Sequence, residues 1–166
     1  MIKNLSIIAA VARNNALGYK NELLYRLPND MKFFKEKTTG HTVIMGLNTY
    51  YSLPHGALPN RRNIVLSFEP VTCEGCEVYL SLEEALNHCA GDDEVFVMGG
   101  ASVYRQAFAL AHKLYLTCVE DVPPLADVFF PLVDEKEWEE KSSDARQPDE
   151  KHRYSYTFKE YVRREL

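Results

Sequence analysis

Apolar, β-branched runs alternate with helical segments through the first two-thirds of the chain, and this alternation limits its possible folds more than any other feature. We expect strands over residues 2–12, 42–46, 62–67, 77–80, 94–100 and 113–120, and helices over 28–38, 47–53, 81–89 and 101–111. Such alternation is typical of an α/β fold with a parallel sheet. Strand-like segments at 138–144 and 154–165 add an antiparallel C-terminal edge, the second with a possible partner in 113–120. The sequence therefore predicts one α/β domain over residues 1–166, with a mostly parallel central sheet and flanking helices.

Charge and hydropathy disfavour two classes of partner. The formal net charge is −5, and a basic cluster such as the pair Arg61 and Arg62 is too small to form a patch, so nothing indicates a nucleic-acid or anionic membrane surface. No apolar run approaches the ~20 residues of a membrane span. Lys3 followed by LSIIAAVA resembles a short signal-peptide core, but a buried first strand explains it as well. We expect a cytoplasmic monomer.

The four cysteines include one close pair, Cys73 and Cys76. A structural zinc site would need a second pair of ligands at similar spacing, and the chain offers only the adjacent His88 and Cys89. A thioredoxin-like pair would open a helix, whereas the intervening Glu-Gly favours a turn. We therefore expect free thiols and no metal.

Two strands end in glycine and run directly into a helix: VIMG precedes LNTYY, and VFVMGG precedes ASVYRQA. Glycine lets a ligand approach the backbone, and the start of a helix offers free N–H groups and a positive dipole end. Two such turns favour a ligand with more than one phosphate, although neither matches the G-x-G-x-x-G fingerprint. For either turn alone, a tight strand-to-helix connection explains the glycines as well.

The segment LPNDMKFF (27–34) predicts a helix start with an acid in its apolar stripe. Pro28 suits the first helical position, where its missing N–H has no intrahelical partner. Residues three and four apart share a helix face, which groups Leu27, Asp30, Met31 and Phe34. An acid in the first turn also interacts favourably with the helix dipole, so Asp30 alone does not establish a function.

Two further segments are candidates for binding. The stretch 13–26 lacks periodicity and is long for a loop, which is typical of lids and binding loops, with Gly18 as a possible hinge. Arg61 and Arg62 follow a proline turn and open a strand. They suit capture of a carboxylate or phosphate, or simply a solvated strand end.

The chain resembles the dihydrofolate reductase family in an ordered series of motifs that covers essentially its whole length. The motifs are, in order, IIAAVA, LGYKNELLYRLPNDMKFFK, VIMGLNTYYSL, LPNRRNIVLS, VFVMGGASVYRQA, KLYLT, ADVFFP and YSYTFKEY. The resemblance implies reduction of 7,8-dihydrofolate to 5,6,7,8-tetrahydrofolate by hydride transfer from NADPH, and binding of antifolate inhibitors. Each motif is weak by itself, and their order is what makes the match specific.

For the substrate, the resemblance implies that Asp30 is the acid that pairs with the pterin edge and assists protonation of N5 through a water. It implies that Thr117 links this acid to the pterin amino group, and that Tyr25 belongs to the catalytic set. Arg61 matches the arginine that holds the α-carboxylate of the substrate's glutamate. The residues implied to line the pterin and its benzoyl arm are Ile8, Met31, Phe34, Leu53 and Leu58, each of which could equally be core.

For the cofactor, the resemblance implies three groups of contacts and a cis peptide bond between Gly99 and Gly100. The nicotinamide end would meet Ala10, Leu17 and Gly18. The first phosphate turn would use Gly46, Asn48 and Thr49, and the adenosine end would meet Leu66 and Ser67. The pyrophosphate and ribose would lie against Gly99, Gly100, Ala101, Ser102, Val103 and Tyr104.

Several residues depart from the family pattern. Tyr25 stands where most members have Trp, and Val128 replaces a common Thr. Leu47, Phe68 and Ser102 stand at places that are often basic or, for Phe68, polar. These three remove positive charge from the adenosine end, so we expect a weaker preference for NADPH over NADH than is usual. The alternatives are a reductase of the same fold, such as the pyrimidine reductase of riboflavin synthesis, and a relative that binds without turnover.

Overall fold

A computed structural model describes residues 2–20, 22–25 and 27–165 of the chain. The elements are β1 (Ile2–Ala12), β2 (Ala16–Tyr19), β3 (Glu22–Leu23), α1 (Pro28–Thr38), β4 (Thr42–Gly46), α2 (Leu47–Ser52), β5 (Arg62–Leu66), β6 (Cys76–Tyr79), α3 (Leu82–Asn87), β7 (Val95–Val97), α4 (Ala101–Phe108), β8 (Ala111–Val119), β9 (Val128–Phe129), β10 (Trp138–Arg146) and β11 (Tyr156–Arg163). Among the described residues, no helix is long and apolar enough to cross a membrane.

The central sheet has eight strands in the order β10-β11-β8-β1-β7-β4-β5-β6. All neighbours from β8 to β6 are parallel, whereas β11 runs antiparallel to both β8 and β10. The pairing of β11 with β8 confirms the predicted partner of the last strand. The predicted fold, a mostly parallel sheet with an antiparallel C-terminal edge, is confirmed.

The central strands are buried on both faces, which is why they read as continuous apolar runs. Successive side chains point to opposite faces, so Ile7 and Ile44 join one hydrophobic cluster while Ile8 and Val43 join another. Helices α3 and α4 contribute to the first cluster. Helix α1 and the residues of α2 pack on the second, and this arrangement places α1 and α4 on opposite faces of the sheet.

The structure corrects the local prediction in three places. The expected loop at 13–26 contains β2 and β3, which join β9 in a separate three-stranded sheet; Asn21 and Arg26 of that segment lie outside the described residues. Strand β2 pairs with β9, more than a hundred residues away, and no local pattern reveals such a partner. The helix expected to reach residue 111 ends at Phe108, because Ala111 begins β8. The strand expected over 94–100 is limited to β7.

The cysteines show no sign of a shared site. Cys73, Cys76, Cys89 and Cys118 are free thiols. Within the described ranges, no group of three or more His, Cys, Asp or Glu side chains is arranged to hold a metal ion.

Candidate functional site

The carboxyl ends of the parallel strands carry two groups of residues predicted to bind ligands, as is usual for α/β sheets. We call the first the acid side, and define it by Asp30 of α1 and Thr117 of β8. We call the second the glycine side, and define it by Gly46, Gly99, Gly100 and Thr49. Strand β1 runs between β8 and β7 and so lies between the two sides.

The acid side is built around one short hydrogen bond. Thr117 Oγ1 donates to Asp30 Oδ1 over 2.5 Å, joining residues that are 87 positions apart in the sequence. Thr117 is buried, with 1% of its surface exposed, whereas Asp30 is half-buried. The Asp30 carboxylate therefore points inward at the sheet. The position predicted for it, on the same helix face as Leu27 and Phe34, brings it against Thr117 of β8.

Burial raises the pKa of the Asp30 carboxyl above its ordinary value, and the hydrogen bond from Thr117 opposes this rise. The desolvation effect is the larger of the two, because burial excludes water from the carboxylate and Thr117 supplies only one neutral hydrogen-bond donor in its place. An acid in this setting takes up a proton more readily near neutral pH than an exposed aspartate does.

The apolar residues predicted for the acid side divide into two groups. Ile8 is buried in the second hydrophobic cluster, and Phe34, Leu53 and Leu58 pack partly buried against it. Met31 is 60% exposed, so the helix stripe is not uniformly buried. Leu27 belongs to a third cluster, with Val119, Tyr156 and Phe158.

Arg61 lies beside α1. Its guanidinium packs over the ring of Phe34 with 5.9 Å to the centroid, and Nη1 donates to Thr38 Oγ1 over 3.1 Å. Burial lowers the pKa of Arg61 from its ordinary value, and an arginine in a protein nevertheless stays charged. Arg62 points elsewhere and forms ion pairs with Glu77 and Asp92. Of the two adjacent arginines, only Arg61 remains a candidate for binding an anion.

Tyr25 does not lie free beside the acid. Its hydroxyl donates to Asp121 Oδ2 over 2.8 Å, and its ring meets the edge of Tyr154 at 6.2 Å between centroids. Burial raises the pKa of Tyr25, and the carboxylate of Asp121 raises it further. The hydroxyl therefore stays protonated and has lone-pair capacity left to accept a hydrogen bond.

On the glycine side, backbone groups rather than side chains define the surface. The peptide bond between Gly99 and Gly100 is cis, as predicted. Gly46 N–H donates to the carbonyl of Gly99 over 2.9 Å, which joins the ends of β4 and β7. A Cβ built on Gly99 would lie 3.2 Å from Thr49 Oγ1, and Gly99 has a φ of +140°. Glycine is therefore required at Gly99 on steric and conformational grounds.

Tyr104 connects the two sides. Its hydroxyl donates to the carbonyl of Ile8 over 2.8 Å from a buried position on α4. Burial raises the pKa of Tyr104, with a smaller contribution from the negative charge of Asp30. The electrostatic influence of the acid thus reaches the helix that follows the two glycines.

The other residues predicted for the cofactor occupy varied environments. Leu17 and Val103 are buried, and Ala10 pairs with Thr117 across β1 and β8. Gly18 lies in β2 between β3 and β9. The Ser67 hydroxyl is taken up in a turn with Glu69. The remaining four are partly buried or exposed: Asn48, Leu66, Ala101 and Ser102.

The three departures on the cofactor side supply no cation. Leu47 packs against the second hydrophobic cluster, and Phe68 is 92% exposed. Ser102 is exposed, and its hydroxyl accepts a hydrogen bond from Gln106.

Sequence reasoning missed three residues that bind the neighbours of the acid side rather than Asp30 or Thr117. Asp121 binds Tyr25, while His152 and Tyr156 both bind Asn29, the residue before Asp30. The single sequence signal was the aromatic alternation of Tyr154, Tyr156 and Phe158, which predicted a strand but no contact with α1.

Comparison with known proteins gives consistent matches. The sequence model of the dihydrofolate reductase family matches residues 4–163. The dihydrofolate reductase of Bacillus subtilis is 40% identical over 161 residues, which cover 96% of this chain and 95% of that protein. The enzyme of the same name from Neisseria meningitidis serogroup A is 43% identical over 160 residues, which cover 96% of this chain and 98% of that protein.

A solved structure agrees with these sequence matches. It is the dihydrofolate reductase from Enterococcus faecalis complexed with NADP(H) and RAB-propyl. The two chains superpose with a TM-score of 0.87 at 34% identity, and the match covers 97% of this chain and 96% of that one.

Proposed function

Because the chain belongs to the dihydrofolate reductase family, we propose that it reduces 7,8-dihydrofolate to 5,6,7,8-tetrahydrofolate with NADPH, and that antifolates compete for the same site. The observation that carries the proposal is the inward-facing carboxylate of Asp30, bound to Thr117 at the carboxyl end of the sheet. The alternative function, a pyrimidine reductase of the same fold, would also need the glycine side to bind its cofactor. It would not require an acid at the position of Asp30 in α1.

Asp30 and Thr117 suit recognition of a pterin. The pterin ring presents a ring nitrogen beside an amino group, and a carboxylate can accept two parallel hydrogen bonds from that edge. The Thr117 hydroxyl donates its proton to Asp30 Oδ1 and keeps lone pairs that can accept from the amino group. The pair therefore fixes the orientation of the ring.

The same carboxyl supports the proton transfer. Reduction adds a hydride to C6 of the pterin and a proton to N5, and Asp30 would supply that proton by way of a water. The raised pKa of Asp30 favours this role, since a general acid works best when its pKa lies near the working pH. Tyr25 can accept a hydrogen bond from such a water while Asp121 holds its hydroxyl.

The glycine side fits a dinucleotide. The N-caps of α2 and α4 are Gly46 and Gly100, whose lack of side chains leaves the N–H groups of both first turns accessible to phosphate oxygens. Thr49 lies beside Gly99 and Gly100 and would complete this surface. NADPH bound here would supply the hydride.

The remaining assignments follow the position of each residue. Ile8, Met31, Phe34, Leu53 and Leu58 would enclose the pterin and the benzoyl group, with the exposed side chain of Met31 covering the ligand. Arg61 would bind the α-carboxylate of the glutamate. Ala10, Leu17 and Gly18 would border the nicotinamide, while Asn48, Leu66, Ser67, Ala101, Ser102, Val103 and Tyr104 would border the rest of the cofactor.

The test is a spectrophotometric assay of the purified protein with dihydrofolate and NADPH. We expect oxidation of NADPH that depends on dihydrofolate and is inhibited by an antifolate. A protein that oxidises NADPH only with a pyrimidine substrate of the riboflavin pathway would contradict the folate assignment. A protein that binds both ligands without turnover would contradict the enzymatic one.

A further inference from the structure

Helix α1 begins without a cap of its own. Its N-cap residue is Leu27, whose side chain has no acceptor, and the first helical residue is Pro28, which has no N–H. The N–H of Asn29 is therefore the first that needs a partner. It donates to His152 Nε2 over 3.2 Å, across 123 residues of sequence.

His152 is held firmly in place for this contact. Its surface is 2% exposed, and Nδ1 lies 2.8 Å from Asp149 Oδ1. Backbone hydrogen bonds in both directions also join Asp149 and His152. Because Nε2 accepts from the Asn29 N–H, Nδ1 is the ring nitrogen left to donate to Asp149.

Tyr156 provides a second attachment to the same residue of α1. Asn29 Nδ2 donates to the Tyr156 hydroxyl over 2.7 Å, and Tyr156 is 1% exposed. The ring of His152 packs on that of Tyr156 at 4.9 Å between centroids. We refer to Asp149, His152 and Tyr156 as the hairpin cap, since they lie at the end of the β10–β11 hairpin.

The hairpin cap is built on the strand that neighbours Thr117. In the register of β11 and β8, Phe158 lies opposite Thr117 and Tyr156 lies opposite Val119. Phe158 in turn stacks on Phe33 of α1 at 4.5 Å between centroids. The first turns of α1 are thus attached to the sheet on both sides of Asp30, close to the residue that binds its carboxylate.

Resting on the proposed function, we propose that His152 is a positioning residue for Asp30: by capping α1 at Asn29, it holds the carboxylate in its buried hydrogen bond with Thr117. A hydrogen bond this short depends steeply on distance and angle, so a small shift of the helix start weakens it. Such a shift also admits water to the carboxylate. The expected consequences are a slower hydride step and a changed dependence of that step on pH.

The test compares three variants with the wild-type enzyme. His152→Ala removes the acceptor, and His152→Gln retains a neutral amide oxygen that can reach the same N–H. Lys151→Ala is the matched control, because Lys151 is exposed on the same loop. The measurements are single-turnover hydride transfer between pH 5 and pH 9, steady-state KM for dihydrofolate and NADPH, and thermal unfolding.

We expect His152→Ala to slow hydride transfer at pH 7 by about tenfold, since small misplacements near the chemistry are costly. Better hydration of Asp30 lowers its pKa, so the midpoint of the pH profile moves to lower pH by about half a unit. His152→Gln restores most of the rate and the midpoint. Lys151→Ala leaves both at wild-type values, and KM for NADPH is unchanged throughout.

Several results would overturn the inference. His152→Ala with a lower melting temperature but the wild-type rate and midpoint would give His152 a structural role alone. His152→Gln as impaired as His152→Ala would exclude the capping contact as the cause. If His152→Ala does not fold, His152→Leu decides the matter, because leucine refills the buried site but offers no acceptor to the Asn29 N–H. We expect it to slow hydride transfer several-fold, a typical effect of one hydrogen bond, and the wild-type rate and midpoint in that variant would refute the proposal.

The wild-type assay keeps this inference separate from the proposed function. A wild-type protein that does not reduce dihydrofolate contradicts the function. An active wild-type protein with unaffected His152→Ala kinetics contradicts only the positioning role.

Discussion

The acid side and the glycine side are built by different means. On the acid side and around it, groups from distant parts of the chain meet: Asp30 with Thr117, Tyr25 with Asp121, and the Asn29 N–H with His152. On the glycine side, each turn consists of a strand end and the helix that begins within four residues of it, and a backbone hydrogen bond from Gly46 to Gly99 joins the two turns. The acid side therefore depends on how elements pack, whereas the glycine side depends on local backbone shape. Changes on the two sides should have distinct kinetic signatures.

The largest effect should come from Asp30→Asn. The variant keeps the shape and an acceptor for Thr117, but it cannot supply a proton. We expect turnover at pH 7 to fall about 10²–10⁴-fold, the usual worth of a general acid, with partial recovery at low pH where the substrate is already protonated. Steady-state and single-turnover assays across pH measure this, and the KM for NADPH should stay near wild type. Near-full activity at pH 7 would show that Asp30 is not the acid.

The corresponding change on the glycine side is Gly99→Ala. The added Cβ would meet Thr49 Oγ1 at 3.2 Å, and alanine disfavours a φ of +140°. Strain of about 1–3 kcal/mol corresponds to roughly a 5–150-fold loss in NADPH affinity if the turn must distort. Fluorescence titration with NADPH measures it. Gly91→Ala is the matched control, since a Cβ there meets nothing within 4 Å. Unchanged NADPH affinity would remove Gly99 from the cofactor site.

Asp121→Asn tests the attachment of Tyr25. Loss of the charged acceptor should weaken a hydrogen bond of 2.8 Å and reduce kcat/KM for dihydrofolate about threefold to tenfold. Combined with Tyr25→Phe, the two changes should be non-additive, because either one removes the same contact. Glu120→Gln is the control, since Glu120 is exposed and pairs only with Arg13 in the described contacts. Fully additive effects would show that Asp121 does not act through Tyr25.

Selectivity between NADPH and NADH should depend on the cofactor side alone and leave the acid side unaffected. We expect the wild type to prefer NADPH over NADH only weakly, because Leu47, Phe68 and Ser102 carry no positive charge. Leu47→Arg should raise the ratio of kcat/KM values by about tenfold through pairing with the 2′-phosphate, and added salt should reduce that gain. Leu132→Arg is a control for added charge at an exposed site. A large NADPH preference in the wild type would contradict the expectation.

The smallest expected effect concerns stability. Because burial raises the folded-state pKa of Asp30, ionising it costs stability, and this cost is present above the folded pKa and vanishes as pH falls below the unfolded value. Asp30→Asn should therefore melt a few degrees higher than wild type at pH 8, and the gain should shrink toward pH 4. Asp144→Asn should show no gain, since Arg146 lowers the pKa of that exposed acid. A gain that does not depend on pH would contradict the electrostatic cause.

Most of the sheet could be predicted from the sequence because its signals are local. Continuous apolar runs predicted β1 and β4 with their observed bounds, and Pro28 marked the start of α1 correctly. The glycine side was visible for the same reason, since each turn lies within one short stretch. The strands β2, β3 and β9 were missed because each is too short to show a period and is stabilised by a distant partner.

The sequence by itself determined the order of the strands' apolar runs, the two glycine turns and the position of an acid in the first turn of α1. Only the tertiary structure decided that Asp30 faces Thr117, that Asp121 holds Tyr25 and that His152 caps α1. The physical reason is the range of the interactions. Backbone conformation and hydrophobic periodicity act between neighbours in sequence, whereas these hydrogen bonds join residues 87 to 123 positions apart and form only once the sheet has brought them together.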